Sequence, residues 1–164
     1  MTQPPSATPQ SAEPGRWTSR LIVSLARFAR PMTLGVRGLV IDADNRVLLV
    51  RHTYVPGYFL PGGGAESGET LEQSLIRELA EEGNIRVTAP STLFGLYFNK
   101  RLSRRDHVAL YIVRDFVQTG PRAPDYEIAE AGFYARDALP AGTTPATRAR
   151  LAEVFDGAPV SPYW

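Results

Sequence analysis

Six glutamates crowd into residues 66–82, at positions 66, 69, 72, 78, 81 and 82, with Arg77 the one base among them. On a helix, Glu78 lies three positions before Glu81 and four before Glu82, so the three carboxylates share one side and one end. Like charges that close repel unless something neutralises them. A divalent cation with hard oxygen ligands does so, and magnesium, with manganese as its substitute, suits carboxylates accompanied by no sulfur and no clustered histidine. The competing reading is a solvated acidic helix behind a flexible loop. Three helical glutamates directly after a glycine-rich loop, with Glu66 and Glu69 beside them, weigh against it.

These carboxylates need elements to hold them. Leu71, Leu75 and Leu79, spaced by four, predict a helix over about Thr70 to Glu82 that turns its apolar side to a core, and Asn84 is a candidate left-handed exit from it. Gly62, Gly63, Gly64 and Gly68 let the preceding loop turn tightly and bring backbone groups near a ligand. That loop has neither the Lys-Ser/Thr end of a triphosphate-binding loop nor the GxGxxG spacing of a dinucleotide fold, which excludes ATP hydrolysis by the first mechanism. Upstream, the apolar segments 34–41 and 47–50 around Asp42–Asn45 read as a β-hairpin. Downstream, strands are expected at 86–88, 92–98, 107–117 and 128–135, followed by a helix from Pro145 to Phe155 capped by Thr144. This order predicts an α/β fold, a layered αβα sandwich, and fits a parallel Rossmann order badly.

Composition narrows the rest. The 164 residues amount to about one domain. Eighteen basic against seventeen acidic residues give a net charge of +1, which argues against dedicated nucleic-acid binding. Absence of cysteine removes disulfide scaffolds, thiolate metal sites and cysteine nucleophiles, and is the basis for expecting a cytoplasmic location. Two histidines cannot build a three-histidine zinc site, and Lys100 is the sole lysine. No run approaches 18 apolar residues, so no membrane span is expected. Residues 1–15, rich in Pro, Ser, Thr and Gln, read as a disordered tail; 16–31 as a helix packed on the domain, with apolar residues at 21, 22, 25 and 28; and 32–164 as the domain itself.

Residues 63–85 resemble the signature box of the Nudix hydrolases. Gly63, Glu69, Arg77, Glu78, Leu79, Glu81, Glu82 and Ile85 fall on its positions, and the one departure is the late glycine, replaced here by Asn84. The resemblance implies a Nudix-type αβα sandwich with a mixed central sheet, and hydrolysis of a pyrophosphate bond in a nucleoside diphosphate linked to another moiety. It implies Glu78, Glu81 and Glu82 as metal ligands, with Glu69 and Gly63 assisting, and Arg77 orienting the acidic cluster by ion pairing. Glu81, Glu82, Arg77 and Glu127 are the catalytic candidates. Members of the family draw the general base either from the box, here Glu82, or from a later loop, here Glu127 or Glu130.

Other residues are candidates for substrate contact. Arg51 follows a strand, Tyr58 and Phe59 follow the Val55–Gly57 turn, and Arg104, Arg105 and His107 lie on a basic hairpin between two strands. Tyr97 and Phe98 are positioned to stack a base or to pack, and Trp164 to enter the core or an interface. The partner expected is a nucleotide-type small molecule, and a homodimer is allowed. ADP-ribose or another nucleotide sugar, nucleoside triphosphates, dinucleoside polyphosphates and capped RNA all lie in the family's range. The alternative function is a non-catalytic nucleotide-binding domain with a regulatory role.

Overall fold

Strand β1 (Thr33–Val40) sets the two faces around which the described residues, 32–164 of a computed structural model, are built. Alternation along it sends Val36, Gly38 and Val40 to one face and Leu39, followed by Ile41, to the other. On the first face, Val36 and Val40 pack with Leu48, Leu75, Leu79, Ile85 and Val113. On the second, Leu39 and Ile41 pack with Val47, Leu49, Tyr97, Leu110 and Leu151. Leu75 and Leu79 belong to helix α1 (Leu71–Gly83) and Leu151 to helix α2 (Pro145–Phe155), so each face of the sheet layer carries one helix. This is the α/β sandwich expected. The tail over 1–15 and the helix over 16–31 lie outside the described residues.

The remaining strands are β2 (Val47–His52), β3 (Ile85–Val87), β4 (Thr92–Phe98), β5 (Asp106–Val113), β6 (Phe116–Gln118) and β7 (Ile128–Tyr134). Strand β1 pairs parallel with β5, from Thr33 opposite Asp106 to Val40 opposite Val113, and β5 pairs antiparallel with β4. Strand β2 pairs antiparallel with β7, and β3 with β6. The hairpin expected from 34–41 and 47–50 is therefore corrected: only the bridge between Ile41 and Val47 joins the two segments, and their ladders run to other strands. The Asp42–Asn45 turn does form, with Asp42 accepting from the N–H groups of Asp44 and Arg46. It redirects the chain into a neighbouring sheet rather than back along the same one. The single strand expected over 107–117 is two, β5 and β6.

Helix α1 begins with a reciprocal cap: the Thr70 hydroxyl accepts the Gln73 N–H, and the Gln73 side chain accepts the Thr70 N–H. It ends at Asn84, whose φ of 54° is left-handed, as expected. Helix α2 starts after Thr144, which caps it as expected. The chain's end is clamped beneath α2. Buried Arg150 pairs with buried Glu153 at 2.6 Å and donates to the Tyr163 carbonyl at 2.9 Å, while Glu153 also accepts from Tyr97 and from the Ser161 N–H. Tyr97 is thus core, not a base-stacking surface, and Trp164 packs edge-on against it, 5.5 Å between ring centres.

Candidate metal centre and active site

The glycine loop and the end of α1 build the centre together. Gly62 has φ of +136°, and its N–H donates to Glu82 Oε2 at 2.7 Å. A side chain on the neighbouring Gly63 would place its Cβ 2.4 Å from Glu78 Oε1, so only glycine lets the loop lie against that carboxylate. Gly63 was expected among the metal ligands. Its carbonyl accepts the Val36 N–H of β1 at 2.8 Å, and its missing Cβ leaves room for the Glu78 carboxylate.

Arg77 organises the carboxylates. Its Nε and Nη2 donate to Glu69 at 3.0 and 3.1 Å, and Nη1 to Glu78 at 2.8 Å and Glu81 at 3.5 Å. Glu69 also accepts from the Ser74 hydroxyl and the Glu66 N–H. The Arg77 guanidinium, that hydroxyl and that N–H hold the Glu69 carboxyl down at about 2. Glu69 is thereby committed to Arg77 rather than turned to the cleft beside Glu82.

Burial does the opposite to the end of the helix. It pushes the Glu78 carboxyl up, and raises Glu82 to about 7 against the pull of the Gly62 N–H and the charge of Arg37. Carboxylates desolvated and crowded in this way are oxygen donors suited to a divalent cation. Glu78, Glu81 and Glu82 line a cleft of about 390 Å³ with Arg122, Asp125, Tyr126 and Glu127. The loop that brings Glu127 is fastened to α1. Arg122 Nε donates to the Glu81 carbonyl at 2.7 Å, its Nη2 pairs with Asp125, and Asp125 caps the N–H groups of Glu127 and Ile128.

Two residues reach this centre without having been singled out in the sequence. His52, at the end of β2, holds Nε2 3.6 Å from Glu82 Oε1, and one ligand atom each of His52, Glu82 and Glu127 lies within 4.8 Å of the others. Arg37, on β1, makes one hydrogen bond among the described residues, to the Leu60 carbonyl at 2.7 Å, and no carboxylate stands within 4.0 Å of it. Burial lowers its pKa, while Glu82 and Glu78 act in the opposite sense. It lines a second cleft of about 830 Å³ with Gly63, Gly64, Glu69, Asn99 and Asp106. The period-2 alternation of both strands could have flagged these side chains, because Arg37 and His52 are polar residues inside apolar runs.

The other expected contacts sit elsewhere. Arg51, on the face of β2 opposite His52, donates to Glu130 at 3.2 Å. Tyr58 donates to the same Glu130 oxygen at 2.7 Å and Tyr134 to the other at 2.6 Å. With both oxygens engaged and the carboxyl held low by Tyr134, Tyr58 and Arg51, Glu130 is corrected from a general-base candidate to the hub of a tyrosine–arginine network. Arg104 and Arg105 are exposed on the β4–β5 hairpin, which reaches the larger cleft through Asn99, Leu102 and Asp106 instead. His107 packs on Phe98, 5.3 Å between ring centres.

Comparisons with known proteins agree with this geometry. The NUDIX domain family model matches residues 31–155. An ADP-ribose pyrophosphatase of Methanocaldococcus jannaschii is 33% identical over 105 residues, which cover 62% of this chain and 61% of that protein. A MutT-like protein of Streptomyces ambofaciens is 31% identical over 126 residues, 77% of this chain and 79% of that one. Among solved structures, the MutT Nudix hydrolase of Burkholderia pseudomallei superposes with a TM-score of 0.65 at 26% identity, covering 76% of this chain and 99% of that one. The chain spans 49–61% of the length of several curated relatives that it matches. With the family model matched over most of its length and the box carboxylates gathered at one cleft, the chain belongs to the Nudix family.

Proposed function

We propose that this protein is a divalent-cation-dependent pyrophosphohydrolase acting on a nucleoside diphosphate linked to another moiety. The observation that carries the reading is the convergence of Glu78, Glu81, Glu82 and Glu127, from a helix and a distant loop, on one cleft. The donor set fits a cation, because desolvated carboxylates with no full complement of basic partners surround it. A bound divalent cation supplies neutralisation of the diphosphate charge and a more acidic water.

The chain's own groups do the rest. Arg77 fixes the rotamers of Glu78 and Glu81, so that they need not reorganise as charge develops. Arg37, with free N–H groups in the larger cleft, takes a phosphate oxygen of the substrate. Glu127, exposed at the mouth of the smaller cleft, accepts the proton of the attacking water. The new O–P bond forms as the bridging P–O bond breaks, and the two phosphates leave separately. A cleft of about 830 Å³ admits a ligand of nucleotide size.

The sugar-linked class is favoured by the likeness to the ADP-ribose pyrophosphatase of Methanocaldococcus jannaschii. The test is product analysis with magnesium in ¹⁸O-water against ADP-ribose, nucleotide sugars, dinucleoside polyphosphates and nucleoside triphosphates. AMP and ribose 5-phosphate from ADP-ribose, with one ¹⁸O in one product, is the expected result. A silent panel with the cation bound would favour the non-catalytic nucleotide-binding reading instead.

A further inference from the structure

The donor atoms gathered behind the box glutamates include a nitrogen. We propose that His52 Nε2 is a ligand of the divalent cation, together with one oxygen each of Glu82 and Glu127, the second Glu127 oxygen being the one left to take the water's proton, and that this mixed set biases the site from magnesium towards manganese, cobalt or zinc. The proposal rests on the hydrolase reading for the presence of a cation, and goes beyond it in assigning a ligand from outside the box.

Three observations carry it. The first is distance. Ligands about 2.1 Å from a first-row ion stand about 3 to 4.2 Å from one another. His52 Nε2 and Glu82 Oε1 are 3.6 Å apart, and the three donor atoms all lie within 4.8 Å, so small side-chain rotations close them on one ion. The second is the state of the imidazole. The residue is only 7% exposed, its ring lies 5.1 Å from that of Tyr54 and 5.8 Å from that of Phe59, and Nδ1 is sealed without a hydrogen-bond partner. Neither ring nitrogen makes a hydrogen bond among the described residues. A buried polar group left so calls for a partner not made of protein, and Nε2 is the nitrogen turned towards the carboxylates.

The third is the backbone. The β2–β7 ladder changes register between Arg51 and His52, from Arg51 opposite Glu130 to His52 opposite Ile128. Such bulges re-aim side chains, and this one sets His52 beside the residue that follows Glu127. The Thr53 N–H then donates to the Glu127 carbonyl at 2.9 Å, which locks the two segments together. Two carboxylates and a neutral imidazole balance a doubly charged ion. Imidazole donors favour the later first-row metals over magnesium, which takes oxygen.

Electron spin-echo envelope modulation of the full-length protein loaded with one equivalent of Mn²⁺ reads the ligand directly. Histidine ¹⁴N modulation is expected, replaced by the ¹⁵N pattern when the histidines are ¹⁵N-labelled. It should persist in His107→Gln, which alters the chain's other histidine, and vanish in His52→Gln with at least a tenfold loss of Mn²⁺-over-Mg²⁺ selectivity. Should His52→Gln fail to fold, modulation that persists in His107→Gln assigns the nitrogen to His52, and modulation lost there overturns the proposal. Bound manganese without histidine modulation overturns the proposal, as does failure to bind manganese. Hydrolysis without nitrogen coordination refutes this ligand and leaves the hydrolase reading intact. Nitrogen coordination without hydrolysis of any diphosphate supports the ligand and refutes the hydrolase reading.

Discussion

The side-chain amide of Asn84 donates to the backbone carbonyl of Pro121 at 3.0 Å. Asn84 stands where the Nudix box carries its late glycine, and asparagine is the side chain that best tolerates the left-handed backbone found there. The backbone carbonyl of this position accepts the Thr119 N–H at 3.0 Å whatever the residue, and what the asparagine adds is its side-chain amide, which reaches into the segment that leads to Glu127. In Asn84→Gly the left-handed turn survives and the amide tether is lost. Stability should change by no more than about 1 kcal/mol, the scale of one or two exposed hydrogen bonds. Amide exchange over 119–127 should quicken and turnover should fall several-fold, whereas unchanged exchange there would dismiss the tether.

Gly63→Ala tests the cradle around Glu78. A Cβ placed 2.4 Å from Glu78 Oε1 displaces a carboxylate that Arg77 holds at 2.8 Å. The core residues of α1 are untouched, so the fold should persist. Mn²⁺ affinity should drop by roughly tenfold or more, the range for disturbing groups that orient metal ligands. Titration followed by water-proton relaxation measures it, and wild-type affinity would show that the loop does not need this close approach.

Arg37 is separable from the metal. Arg37→Gln should raise KM by roughly tenfold, the worth of a charge-assisted hydrogen bond to phosphate, with Arg37→Lys between the two. Mn²⁺ affinity without nucleotide should hold or rise, since a cation near Glu82 and Glu78 has been removed. Tighter metal binding with an unchanged KM would make Arg37 a counter-charge to the carboxylates rather than a substrate contact.

Acid should loosen the loop carrying Glu127. The Arg122 guanidinium and the N–H groups of Ile128 and Glu127 hold the Asp125 carboxyl at about 2, below its ordinary 3.8. A depressed carboxyl stabilises fully above the unfolded value and loses that contribution as pH falls through the folded one. The wild-type advantage over Asp125→Asn, read from urea unfolding, should therefore be constant above about pH 5 and shrink from pH 4 towards pH 2. An advantage that grows on acidification would contradict the pairing.

How much of this was legible beforehand follows from the range of each signal. Helix α1 announced itself through Leu71, Leu75 and Leu79, and its exit through Asn84, because period and cap are local. The box glutamates were legible for the same reason. Strand partners were not: Ile41 and Val47 flank a genuine turn, and nothing between them says that β1 runs beside β5, where Thr33 meets Asp106, far along the chain. Arg51 and His52 show the same limit at the site. Period 2 sends them to opposite faces, but only the β7 register tells which face holds Glu82 and which holds Glu130. Glu153, far from any motif, carried no sign that Tyr97, Arg150 and Ser161 would converge on it.

That convergence gives a stability prediction independent of catalysis. Arg150 and Glu153 are 2% and 8% exposed, and the Arg150 guanidinium lies 4.1 Å from the Tyr97 ring centre, with Nε unpartnered. Glu153→Gln leaves a buried cation without its counter-charge, which costs about 3–5 kcal/mol. For a chain of this length that lowers Tm by roughly 10 °C or more. Replacing both partners by Met and Leu removes the desolvated charges together and should recover most of the loss. No residue of this cluster lines the cleft of Glu78, Glu81 and Glu82, so Mn²⁺ affinity in the folded variants should match wild type. Thermal denaturation with a parallel manganese titration checks both halves. A single variant as stable as wild type would mean that water or a shifted backbone, not Glu153, satisfies the guanidinium.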